Sequence, residues 1–144
     1  MPTITAHIVV DNAERAAQWY RDAFGAVENR RIPTPGGKYL EISLQIGDSP
    51  LMIADEFPDM GVLAPQRGGA APVALHIATD DVDALWQRAV AAGAEVHQPL
   101  QDAFWGDRHG QVIDPFGHRW GFSQHLRDVP DDEITVAVAA MFAD

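Results

Sequence analysis

The chain has 144 residues, and its 10 Lys plus Arg face 21 Asp plus Glu for a net charge of −11. That length suits one domain, and a 47% hydrophobic content can fill its core, but so acidic a protein excludes nucleic acid as a partner, because phosphate binding needs a cationic surface. With no cysteine, disulfides, thiolate zinc sites and cysteine nucleophiles are excluded too.

Ile4–Val10 is predicted as a strand, with Ile4, Ala6, Ile8 and Val10 on one side and Thr5, His7 and Val9 on the other. Asp11 and Asn12 are helix caps for a helix over Ala13–Phe24, which Gly25 stops. The turn Pro33-Thr34-Pro35-Gly36-Gly37 leads into the clearest alternation of the chain, Lys38–Ile46. Leu40, Ile42, Leu44 and Ile46 make its apolar side, and Tyr39, Glu41, Ser43 and Gln45 its polar side. Gly47-Asp48 turns into a strand over Ser49–Asp55, and residues 57–71, rich in Gly and Pro, read as a linker.

The pattern then repeats: a strand over Val73–Thr79, caps at Asp80-Asp81, a helix over Val82–Ala92 and a stop at Gly93. An offset of 69 positions pairs His7 with His76, Ile8 with Ile77 and Asp11 with Asp80. Strands follow over Glu95–Leu100, Gly110–Ile113 and Arg119–Gln124. The tail is predicted as a helix over residues 131–143, with acids in its first turn and an apolar stripe of Ile134, Val138, Met141 and Phe142 that docks on its own or a partner subunit. The expected organisation is α+β. Module 1 spans about residues 3–56, the linker 57–71, module 2 about 72–127, and a C-terminal helix follows. No run approaches the roughly 18 apolar residues of a membrane-spanning helix. The opening Met1-Pro2-Thr3-Ile4-Thr5 has no signal-peptide pattern, so a cytoplasmic protein without a membrane partner is expected.

Two modules whose helices cover one sheet face leave the other face open. There the first strand presents His7, the next Tyr39, Glu41 and Ser43, the strand near residue 76 presents His76, and the last presents Arg119, Gly121 and Ser123. Same-face residues stand about 6.7 Å apart along a strand, so these groups can converge on a ligand cavity. Each has a plain structural alternative. His7 and His76 fit half-buried strand residues bonded to neighbours, and Glu41 fits either a solvated strand residue or an acceptor for a cationic ligand. Tyr39, Phe104 and Trp105 are packing aromatics or a stacking wall for a flat ligand. Arg108 is expected to pair with Asp107 or Asp114, and Arg119 either forms a surface salt bridge or grips a carboxylate or phosphonate. His97, His109, His118 and His125 are assigned no role. No phosphate-binding loop or nucleophile elbow is present.

Several of these stretches resemble the vicinal oxygen chelate superfamily of glyoxalase I, bleomycin-resistance proteins and extradiol dioxygenases. The marks are Asp11 through Trp19-Tyr20 with Phe24-Gly25, and Ile46-Gly47-Asp48-Ser49 with Met52 and Ala54-Asp55-Glu56-Phe57-Pro58. Trp105-Gly106-Asp107-Arg108 and Asp114-Pro115-Phe116-Gly117-His118 with Trp120 resemble the PhnB-like branch in particular. The resemblance implies two β-α-β-β-β modules in an open, curved mixed sheet, in a homodimer with pockets near the subunit interface. It also implies cation-holding positions, which fall here on Thr5, Ala74, Gly121 and the stretch Met52–Ile53; none can supply an ordinary ligand.

The expected function is therefore metal-independent capture of a small molecule, of the drug-sequestering type, with no cofactor. An aromatic or cationic ligand is expected to meet His7, Tyr39, Glu41, Ser43, His76, Trp105, Arg119 and Ser123. The alternative is a divalent-metal enzyme, a lyase, isomerase or dioxygenase, with its ion on His7, Glu41 and His76. A third reading, a metal-free isomerase or cyclase, takes Glu41 as its base.

Overall fold

A computed structural model describes residues 1–143. β1 (Ala6–Val10) leads through a side-chain cap, Asn12 accepting from the Arg15 amide at 3.0 Å, into α1 (Ala13–Phe24). Gly25 ends α1 in the left-handed region at φ 69°, which glycine adopts without a Cβ clash. β2 (Val27–Pro33), β3 (Tyr39–Ile46) and β4 (Ser49–Asp55) complete the first sheet, ordered β1-β4-β3-β2. A short 3₁₀ turn (Pro58–Met60) interrupts the linker.

The second half repeats this with β5 (Ala74–Ala78), α2 (Val82–Ala91), β6 (Glu95–Asp102), β7 (Asp107–Ile113) and β8 (Arg119–His125), ordered β5-β8-β7-β6. In each sheet the first strand runs parallel to the last and the other pairings are antiparallel. The expected α+β architecture of paired modules is thus present as two four-stranded mixed sheets, with α3 (Asp131–Met141) at the C-terminal end. Among the described residues no helix is long and apolar enough to cross a membrane.

β2 is an element the sequence reading did not find. Val27–Pro33 is mostly polar and has no apolar side; its pairing with β3 and a chain of ions, Glu14–Arg31–Glu28–Arg21, hold it at the sheet edge. The strands β6, β7 and β8 also run further than their apolar cores suggest, because ladder pairing continues through Asp102, Asp107 and His125.

α1 and α2 lie between the sheets and pack on each other. Tyr20, Phe24, Ile42, Leu44, Ile53, Val112, Trp120 and Phe122 are buried in one core. Trp19 Nε1 donates to the Ala92 carbonyl at 2.8 Å and Arg88 Nε to the Asp22 carbonyl at 2.6 Å, which fastens the two modules through their helix ends. That arrangement spends one face of each sheet on the core and leaves the other for the site.

Candidate functional site

The open face of the first sheet is built from β1, β3 and β4. His7 stands in register with Met52, and Met52 with Ser43. Glu41 Oε2 accepts from Ser43 Oγ at 2.7 Å and from Arg30 Nε at 3.2 Å. The Ser43 bond, aided by Arg30 and His7, outweighs partial burial and lowers the Glu41 pKa from its usual value. A carboxylate held ionised in this way is a weaker proton acceptor than a free one, which weighs against Glu41 as a general base. His7, Leu40, Glu41 and Met52 share a recess of about 260 Å³ bordered by Phe57 and Met60.

Tyr39 is not on that wall. A register shift opposite Ile32 and Pro33 brings Leu40 beside Glu41 and sends Tyr39 to pack against the core, where its hydroxyl accepts from Arg31 at 3.0 Å.

The open face of the second sheet carries an imidazole pair. His76 Nε2 and Ser123 Oγ share a hydrogen bond of 2.8 Å, and Ser123 is buried. The His109 ring stacks on His76 at 5.7 Å, 10° from parallel, and Trp105 meets His109 edge-on at 5.5 Å. Burial, and then the neighbouring His76, lower the His109 pKa below the usual imidazole value, which favours the neutral His109 ring. Gly121 makes room for it: a Cβ there would lie 2.6 Å from His76 Nδ1.

His109 thus joins a site from which the sequence reading left it out. Beginning the strand at Asp107 rather than Gly110 would have shown it, since His109 then falls on the face of Gln111, opposite Ser123.

Two other expectations are corrected. Arg119 reaches inward to the linker, donating to the Ala71 and Pro72 carbonyls and to Gln111, so its fork is engaged within the chain. Arg108 pairs with Asp83 and Asp102, not with Asp107 or Asp114; Asp107 bonds His125, and Asp114 is a core acceptor.

The groups therefore divide over the surface. His7 and Glu41 lie together, and His76, His109, Ser123 and Trp105 lie together. His76 also lines a cleft of about 590 Å³ floored by Phe24 and Trp120, and His7 and Arg119 share a recess of about 410 Å³ under the linker. Among the described residues, no three His, Asp or Glu side chains gather closely enough to hold an ion, so His7, Glu41 and His76 do not form one ligand set within the chain.

The sequence model of the Glyoxalase/Bleomycin resistance protein/Dioxygenase superfamily matches residues 3–122. The chain belongs to this superfamily. As a member it is 43% identical over 142 residues to Mb0911c of Mycobacterium bovis, a match covering 96% of this chain and 93% of that protein. It is similar to the crystal structure of TioX from Micromonospora sp. ML1, at 30% identity and TM-score 0.68 over 88% of this chain and 100% of that one. The PhnB protein from Bacillus cereus shares the fold, at 14% identity and TM-score 0.68 over 85% and 99% of the two chains.

The superfamily's enzymes hold a divalent ion on their open strands, and this member's residues do not fit one. Thr5 precedes β1, Met52 is a thioether beside His7, and Ala74 opens β5 without a donor. The space at Gly121 that a carboxylate would need is filled by the His76 ring. The alternative donors, His7 with Glu41 and His76 with His109, stand on separate sheets, and Glu41 is already engaged with Ser43 and Arg30.

Proposed function

We propose that this protein binds an aromatic small molecule stoichiometrically and without a metal ion, in the manner of a drug-sequestering member of its superfamily. The observation that carries the reading is the second open face. Its stacked imidazole pair and the indole that meets it edge-on form an aromatic wall, while the position facing His76 is a glycine with no carboxylate. Such a wall offers stacking area together with the His76 and His109 ring nitrogens as hydrogen-bond partners. A second copy facing each open sheet would turn these shallow recesses into enclosed ones, so the working form is a homodimer, acting in the cytoplasm.

Titration calorimetry with a panel of planar natural products, with and without a chelator, tests the reading. Saturable binding near one ligand per chain, equal in both conditions, is the expected result. Affinity that disappears with chelator, or turnover of the ligand that depends on an added divalent ion, would replace it with the metal-dependent enzyme reading.

A further inference from the structure

The recess on the open face of the first sheet gathers sulfur as well as nitrogen. His7 on β1 and Met52 on β4 stand in register on neighbouring strands, about 4.8 Å apart, and both line the recess. Met60 reaches it from the linker, so two of the chain's four methionines meet one imidazole there. The turn that presents Met60 is tied shut. Phe57 and Val62 exchange backbone bonds of 2.8 and 3.1 Å, and Gly61 ends the turn in the left-handed region at φ 73°. Ile32, Leu40, Ala54, Phe57 and Val62 supply apolar walls. The carboxylate of the lining, Glu41, is engaged by Ser43 and Arg30, and those bonds leave the His7 ring out.

We propose that His7, Met52 and Met60 form a site for a soft monovalent metal ion, copper(I), apart from the divalent-ion positions at Thr5, Ala74 and Gly121. A thioether sulfur is uncharged and polarizable, so it donates well to copper(I) and poorly to ions that take oxygen and imidazole. Methionine at position 52 therefore turns a stretch where a carboxylate would suit a divalent ion into one that suits a soft ion. Copper(I) has a filled d shell and imposes no directional preference, and methionine's rotatable bonds let its sulfur adapt to the ion. The apolar walls keep water from competing with these weak donors. Local charge favours a cation as well. Glu41, Glu56 and Asp59 outnumber Arg30 and Lys38 around the recess, on a protein of net charge −11. Binding is coordination alone, with no change of oxidation state. The site lies on the first sheet and the aromatic wall on the second, so it does not rest on the ligand reading.

Because the chain has no cysteine, no thiolate competes for the ion. Silver(I), equally soft and inert to redox change, is the first probe, with untagged full-length protein isotope-labelled at its methionine methyls. One equivalent should shift the Met52 and Met60 methyl resonances and leave those of Met1 and Met141 in place. Under anaerobic, reducing conditions the protein should withdraw copper(I) from its bicinchoninate complex, at one ion per chain. Met52→Leu and Met60→Leu, swaps that nearly conserve volume, should each weaken binding about tenfold or more, as should His7→Gln. Met141→Leu should leave it unaltered. Zinc(II) should neither shift the methyls nor displace silver. Shifts spread equally over all four methyls, copper that stays with bicinchoninate, affinity undiminished when Met52 and Met60 are both leucine, or displacement by equimolar zinc overturns the proposal.

Discussion

Asp55 and Gln124 make the same contact in the two modules: Asp55 Oδ1 accepts from the first amide of α1, Ala13, at 2.7 Å, and Gln124 Oε1 from the first amide of α2, Val82, at 3.0 Å. The two acceptors are 69 positions apart and so are the two donors, the offset that also relates His7 to His76. A free helix amide is thereby tied to the last strand of its own sheet in both halves.

The two contacts differ in weight. Asp55 is buried and also accepts from the Tyr39 amide at 2.7 Å, at the bulge that aims Leu40 into the recess. Replacing Asp55 with Ala leaves two amides unpaired and should cost about 2–4 kcal/mol, whereas Gln124→Ala leaves one and should cost about 1–2 kcal/mol. Urea midpoints at unchanged slope measure both, and equal losses would show that the second Asp55 bond carries no weight.

Asp114 is the polar centre of the core, accepting from Tyr20 Oη at 2.5 Å, Trp120 Nε1 at 2.8 Å and the Phe116 and His118 amides. Burial, followed by the charge of Asp114, raises the Tyr20 pKa well above that of free tyrosine. The folded chain therefore holds the Tyr20 proton where the unfolded chain releases it, and stability falls as pH rises past the free tyrosine value of about 10. Of the two tyrosines, Tyr20 should titrate in the ultraviolet only as the protein unfolds. Tyr20→Phe should remove that step and cost about 1–2 kcal/mol at neutral pH.

Legibility in the sequence followed the strength of local patterning. α1 and the apolar side of β3 were readable from Ala13 to Phe24 and from Ile42 to Ile46, because burial there repeats at the period of the element. β2 was not, since Glu28, Arg30 and Arg31 are held by partners on α1 and β3 and not by their own pattern. The site was half legible. His7 and His76 were visible through the repeat, but β3 and β7 align at an offset of 68, which makes His109 and not Gly110 the counterpart of Glu41 in the second module. Nor does any local rule show that Arg108 reaches Asp83, 25 residues away, or that a bulge turns Tyr39 inward.

Two histidines should titrate in opposite senses. Hydrogen bonds to Asp107 and then Asp128 raise the His125 pKa, so the folded chain binds the extra proton and this small surface contribution fades as pH rises above the imidazole range. His109 is lowered by burial beside His76, so the unfolded chain binds the proton first and stability decreases as pH falls below about 6.5. Proton resonance titration should give a midpoint above the free value for His125 and below it for His109. His109→Gln should flatten the acid side of the stability curve, and an unchanged curve would place the acid sensitivity elsewhere.

Gly110 and Gly121 separate packing from binding. A Cβ at Gly110 would lie 2.6 Å from the Trp86 ring and about 3.0 Å from the Leu100 backbone, on the core side of β7. At Gly121 it would meet the His76 ring at 2.6 Å, on the open face. Gly110→Ala should therefore cost about 1–3 kcal/mol through overpacking and leave affinity for a captured aromatic ligand within about twofold. Gly121→Ala can be relieved by rotating His76, which gives up the Ser123 bond and the stack on His109. Its stability loss should be the smaller of the two, while ligand affinity drops about tenfold, near 1.4 kcal/mol. Calorimetric binding and urea unfolding of both variants decide the matter, because undiminished affinity in Gly121→Ala would mean that the imidazole wall does not touch the ligand.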